Sequence, residues 1–119
     1  MQNLDQIRAQ HALTHAKGLK RAAISKLPGL IINNGLLATA AFAEAGGGGD
    51  NKEHLKNAMH AVASYLALRG ILSQHVTTPQ GMINDLSNAP SAYLLQRATS
   101  EALAYLSFLK RFAPNEKSD

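Results

Sequence analysis

The chain has 119 residues, the size of one ordinary domain, and 45% of them are hydrophobic, with aromatics at 5% and no Trp. It contains no cysteine, which excludes a disulfide scaffold, thiolate zinc sites, iron–sulfur clusters and cysteine nucleophiles. Net charge is +4, and the excess sits in the first thirty residues, where Arg8, Lys17, Lys20, Arg21 and Lys26 stand against Asp5. Clustered cations of this kind gain from counterion release at phosphates, so the asymmetry points toward a polyanionic partner, against the plainer reading of a solvated helix face.

From the N-terminus, Leu4 to Leu27 reads as one long amphipathic helix. Ala9, Ala12, Leu13, Ala16, Leu19, Ala23 and Leu27 form its apolar stripe, and Arg8, His11, His15, Lys17, Arg21 and Lys26 lie opposite. Pro28 sets a boundary. A second helix is predicted over Pro28 to Ala45, apolar nearly all round and therefore buried. Asn33-Asn34-Gly35 either bends it or lets another backbone approach. Gly46 to Gly49 reads as a flexible linker, and Asp50 with Glu53 as a capping box for a third helix ending at Gly70. Leu55, Ala58, Met59, Val62 and Leu66 give that helix its buried face. A short turn over Ile71–His75 follows, then a fourth helix from Thr78-Pro79 to Leu86.

The last helix is predicted from Pro90 to Phe112, with Leu94 or Leu95, Ala98, Ala102, Tyr105, Leu106, Leu109 and Phe112 inward. Only Val62 and Val76 represent valine, and no segment alternates with period two, so no sheet is expected. The reading is an all-α, single-domain bundle of five to six helices over 1–113, with a disordered polar tail at 114–119. A helix of about 23 residues, near 35 Å long at 1.5 Å per residue, predicts an elongated body. No apolar run approaches the roughly 20 residues of a membrane span, and Met1 to Asp5 lacks the order of a signal peptide. A soluble, cytoplasmic protein with no membrane partner is the expectation.

Candidate chemistry is sparse. His11 and His15 have the four-residue spacing of a two-histidine metal pair, but the third ligand would have to come from His54, His60 or His75 by tertiary contact, and no metal or other cofactor is predicted. The tetraglycine run follows a helix rather than a strand and lacks the Lys-Ser/Thr of a phosphate loop. Carboxylates are scattered, no Ser sits in a nucleophile elbow, and an enzyme is not expected. The basic positions are better candidates. Lys17, Lys20 and Arg21 lie on the first helix, Lys52, Lys56 and His60 make an i, i+4, i+8 stripe on the third, and Arg69 ends it. Lys110 and Arg111 close the last helix, where they also suit its dipole. With few exposed aromatics, contact with nucleic acid would follow the backbone or the shape of a duplex.

Leu27-Pro28, Ile31, Asn34-Gly35-Leu36 and Thr39-Ala40-Ala41-Phe42 resemble one block of a known family. Tyr93-Leu94, Thr99, Glu101-Ala102-Leu103, Tyr105-Leu106 and Leu109 to Ala113 resemble its C-terminal signature, and Arg8-Ala9 fits as well. The family is the small all-helical subunit of the type III-B CRISPR RNA-guided effector, the Cmr complex. Phe108 stands where relatives often carry Trp, and the tetraglycine loop departs from the pattern. The resemblance implies a non-catalytic structural subunit that stacks into a minor filament and helps cradle the guide RNA–target RNA duplex. Its implied partners are the backbone, large and neighbouring small Cmr subunits together with both RNAs. Under it, Lys17, Lys20, Arg21, Lys52, Lys56, Arg69, Lys110 and Arg111 are the candidates to face RNA. The alternative is a free-standing helical adaptor that binds a protein partner. The equivalent type III-A subunit and a small helical enzyme rank below both.

Overall fold

The structure, a computed structural model, describes residues 2–114. The chain makes α1 (Leu4–His15), α2 (Arg21–Ile24), α3 (Leu27–Asn34), α4 (Leu36–Glu44), a 3₁₀ turn over Gly49–Asn51, α5 (Lys52–Leu68), α6 (Pro79–Ser87) and α7 (Ala92–Phe112), with no strand among the described residues. The fold class read from the sequence is the one observed, an all-helical bundle. Beyond Pro114, the predicted tail lies outside the described residues.

α5 is the axis of the bundle because alanine makes it thin. Its buried positions, from Leu55 through Ala67, include Ala58, Ala61, Ala63 and Ala67, which let α1, α2, α4, α6 and α7 pack against it. α5 ends in a Schellman turn at Gly70 (φ 75°), with Ile71 N–H donating to Leu66 O and Gly70 N–H to Ala67 O, each at 3.0 Å. Ile71 and Leu72 continue into the core. Thr78 caps α6 by accepting from Gly81 N–H at 3.0 Å, with Pro79 in the first turn.

The N-terminal half departs from the pattern read in the sequence. The predicted helix Leu4–Leu27 is broken after His15, because Gly18 takes a left-handed conformation (φ 83°) and turns the chain so that Leu19, Ala23 and Leu27 reach the core beside α5. α1 itself begins with a capping box that Asn3 and Gln6 form, each side chain accepting the other's backbone N–H at 2.9 Å. Its inward face is polar. Leu13, predicted inward, is 55% exposed, and His11 and Arg8 point into the bundle instead.

The predicted helix Pro28–Ala45 is a helical hairpin, α3 and α4, divided at Gly35 (φ 92°). A Cβ at Gly35 would meet nothing within 4 Å, so glycine serves the backbone angle there and no close approach. Leu36, Ala40 and Ala43 are buried while Ile32 is 71% exposed and Phe42 half exposed, so the hairpin is half-buried and not buried all round. Asp50 caps nothing: Asn51 holds the N-cap of α5 and makes no side-chain bond to it. On α7, Phe112 is partly exposed where an inward position was predicted.

The radius of gyration, 13.4 Å, matches the roughly 13 Å of a compact chain of this length. The extents of 47 × 37 × 24 Å describe a body longer than it is thick, flattened along one axis.

The tetraglycine run is a packed turn. The Phe42 ring lies over Gly47 and the buried Leu55 side chain over Gly48, and a Cβ at either glycine would run into them. Gly48 also holds φ 116°. Gly48→Ala is therefore expected to cost about 2–4 kcal/mol in denaturant unfolding, from backbone strain plus displaced Leu55. Gly29→Ala, in open space within α3, should gain about 0.5–1 kcal/mol. Equal midpoints for the two variants would contradict this packing.

Candidate nucleic-acid interface

The break at Gly18 decides where the cations go. Lys17, Gly18 and Leu19 line a cleft of about 450 Å³ with Asn57, His60, Ala61 and Ser64 of α5. Farther along, Ser25 and Lys26 line a second cleft with Gly48 and Leu55. Residues 17–26 therefore run back along α5, from its His60 region toward its N-terminus. Lys52 and Lys56 are exposed and half-buried respectively, one turn apart on that helix, and the Lys52 backbone abuts Gly48. Lys17, Lys26, Lys52 and Lys56 thus border one stretch of surface. Lys20 is the half-buried N-cap of the α2 turn between them.

Arg21, the first residue of α2, faces the other way, toward α7. Its guanidinium donates to the carbonyl oxygens of Lys110, Arg111 and Ala113 at 3.0–3.2 Å. The Lys110 and Arg111 side chains are exposed, and neither pairs with a carboxylate of the described residues. The structure so places Lys17 and Lys20 on the α5 side or at the cap of α2 and Arg21, Lys110 and Arg111 at its α7 side, with Lys52 and Lys56 on α5, the helix that α2 packs against. Exposed Asp50 and Glu53 and the half-buried Glu44, 3.9 Å from His60 Nε2, temper the field on the α5 side.

Arg69 is the exception. Its Nη1 donates at 3.1 Å to both Glu101 Oε1 and the Tyr65 hydroxyl, with 15% of the side chain exposed. Arg8 holds the same carboxylate, from Nη2 to Oε2 at 2.6 Å and from Nε to Oε1 at 3.3 Å, and the Tyr65 hydroxyl donates to Oε1 at 2.8 Å. The Arg69 charge is spent inside the fold. Burial pushes the Glu101 carboxyl up, but hydrogen bonds from Arg8 and Tyr65 and the two guanidinium charges outweigh it and hold the group below its ordinary range. The hydrogen bond to Glu101 raises Arg8 against partial burial, and burial raises the Tyr65 hydroxyl.

His11 completes the cluster. Its Nδ1 lies 2.6 Å from the Tyr105 hydroxyl and its Nε2 3.2 Å from Ser64 Oγ. Tyr105 stacks on Tyr65 at 4.4 Å between ring centroids, and His11 stacks on His15 at 3.9 Å. Burial, then the neighbouring His15, lowers His11 to about 4, and burial raises Tyr105 far above the ordinary phenol value. The His11–His15 spacing thus serves ring packing and a neutral hydrogen-bonded imidazole, which offers one donor and one acceptor to two hydroxyls. No group of three metal-ligating side chains converges among the described residues, and none of their helices is long and apolar enough to cross a membrane. Sequence reasoning overlooked this network, since its partners lie up to 94 residues apart.

The family model of the CRISPR-associated protein Cas_Cmr5 matches residues 4–116. No curated protein and no solved structure matches the chain.

The lowered His11 and Glu101 values give the network a pH signature. The unfolded chain takes a proton on His11 near pH 6.5, whereas the folded chain resists until about 4, so stability falls as pH drops through that window. The His11 share is at most about 2 kcal/mol once partial exposure is allowed for. His11→Gln should flatten thermal stability between pH 6.5 and 4, leaving the steeper loss from Glu101 below it. An unchanged profile in His11→Gln would contradict the buried neutral imidazole.

Proposed function

We propose that this chain, which belongs to the CRISPR-associated Cas_Cmr5 family, is a non-catalytic subunit that helps hold a guide RNA–target RNA duplex within a type III-B effector complex. Family membership makes it a component of the Cmr complex in CRISPR defence. The finer role rests on one observation: exposed cations gather around α2, and the internal network takes Arg8 and Arg69 out of that surface.

The chemistry of that surface favours a phosphate backbone over bases. The cations sit on helix faces and at a helix end, and the only exposed Phe or Tyr rings near them among the described residues are two partly exposed phenylalanines, Phe42 at the Lys26 cleft and Phe112 beside Arg111. The most exposed ring, Tyr93, is at the opposite end of α7 from Lys110 and Arg111. Such a surface reads charge spacing and duplex shape, as suits a subunit that must accept any guide sequence. The side chains that most resemble a catalytic set are engaged with one another: His11 bonds Ser64 and Tyr105, Tyr65 bonds Glu101, and the two tyrosine rings, both fully buried, stack. They serve packing rather than reaction in this reading. Exposed Ile32, Leu68 and Tyr93 lie outside the cationic surface and suit contacts with neighbouring subunits, including further copies stacked as a minor filament.

In the assembled complex, Lys52→Glu with Lys56→Glu should leave subunit composition unchanged and lower target-RNA affinity about tenfold or more at low salt, with a shallower salt dependence. Affinity equal to wild type across the salt range would remove the α5 face from the RNA surface. Recovery of the tagged chain with a single unrelated protein and no RNA would favour the adaptor instead.

A further inference from the structure

We propose that Arg21 acts as a positioning residue for Lys110 and Arg111 and not as an RNA contact of its own, an inference that rests on the RNA-facing reading of the basic surface. A helix ends in carbonyls that have no intrahelical donor. At the end of α7, Arg21 Nε donates to Lys110 O at 3.1 Å, and Nη2 donates to Arg111 O at 3.2 Å and Ala113 O at 3.0 Å. The Arg21 backbone N–H donates to Pro114 O at 3.1 Å. One residue therefore ties the last turn of α7 to the first residue of α2. Its positive charge also lies at the negative end of the α7 dipole.

This arrangement uses the guanidinium up on one side. An N–H directed at a carbonyl is not directed at a phosphate, and the Nε and Nη2 edge of the fork is committed to the protein. Lys110 and Arg111 are in the reverse situation. Their side chains are exposed, while their own carbonyls are the ones Arg21 holds. Where those two charges sit depends on whether the terminal turn stays wound, and helix ends fray when their carbonyls lack donors. Arg21 accordingly joins the α7 cations to those beside α5. Lysine cannot replace it, because an ammonium on a flexible stem does not span three carbonyls as a planar fork does.

The test measures target-RNA affinity against salt concentration in the assembled complex. It compares wild type, Arg21→Lys, Arg21→Gln, the pair Lys110→Gln/Arg111→Gln, and the triple variant with Arg21→Gln. The pair should reduce the logarithmic salt slope by about 1.4–1.8, two phosphate contacts at roughly 0.7–0.9 each. Both Arg21 variants should move the slope toward that of the pair, and the triple variant should match the pair. Wild-type behaviour of Arg21→Lys, or a triple variant weaker than the pair by about one more contact, would show a direct charge contact and overturn the proposal. A pair indistinguishable from wild type would overturn the RNA reading at this end, and this inference with it, without involving Arg21. Hydrogen exchange of the full chain supplies an independent readout. The Ala113 N–H, bonded to Leu109 O, should exchange at least tenfold faster in Arg21→Lys and be unaffected in the pair. Unchanged exchange in Arg21→Lys would overturn the positioning role.

Discussion

The Glu101 carboxylate is where three helices are tied together. It sits on α7, takes two bonds from Arg8 on α1, and is shared by Tyr65 of α5 and Arg69, the residue that ends that helix. A carboxylate that is 13% exposed is tolerated only when its lone pairs are filled and its charge is matched. Here both conditions hold, with two guanidinium groups around one carboxylate, so the set keeps a net positive charge that Asp5 offsets from 3.0 Å at Arg8. Removing Glu101 would leave two part-buried guanidinium groups without the carboxylate they share, and removing Arg8 would cut the ion pair that joins α7 to α1. Of the α1 residues only Ala12 is fully buried, and the helix's inward face is arginine and histidine rather than leucine.

That internal network also shapes the outer surface. The chain has twelve lysines and arginines, and two of the arginines are consumed at Glu101. Arg21 is consumed at the end of α7. Among the described residues, exposed Lys17, Lys26 and Lys52 lie where the chain reverses at Gly18 and runs back along α5, and exposed Lys110 and Arg111 lie at the end of α7. A modest net charge can in this way present a locally dense field, and a duplex held by its backbone needs density at one place more than a large total. The glycines at 18, 35 and 48 are what permit the reversal, the α3–α4 hairpin and the packed turn before α5, so the placement of charge follows from backbone freedom at a few positions.

How much of this was legible in the sequence follows from the range of each interaction. α5, α6 and α7 were readable because their signals are local: apolar residues at helical spacing, Thr78-Pro79 at a start, Gly70 at an end. Gly35 was read as a bend or a close approach, and the structure shows the bend; Gly18 was not read as a break, since a glycine within a helical pattern costs only about 1 kcal/mol and looks the same whether the helix tolerates it or stops there. The polar interior of α1 left no local trace either, because Arg8 meets Glu101 across 93 residues and His11 meets Tyr105 across 94. The candidate cations were visible as residue types. Whether each faces water, as Lys110 does, or a carboxylate, as Arg69 does, depends on those distant partners. The family resemblance was carried by the Leu27–Phe42 and Tyr93–Ala113 blocks, and the family match over residues 4–116 contains both.

The central claim is that the surface around α2 is where this subunit meets RNA. Photo-crosslinking in the purified effector complex tests it most directly, with 4-thiouridine placed through the target strand and the crosslinked peptides of this chain mapped by mass spectrometry. The account requires crosslinks within residues 17–26, 52–60 and 110–113. Crosslinks confined to the faces that bear Ile32 or Tyr93, or none in this chain while neighbouring subunits are labelled, would contradict it.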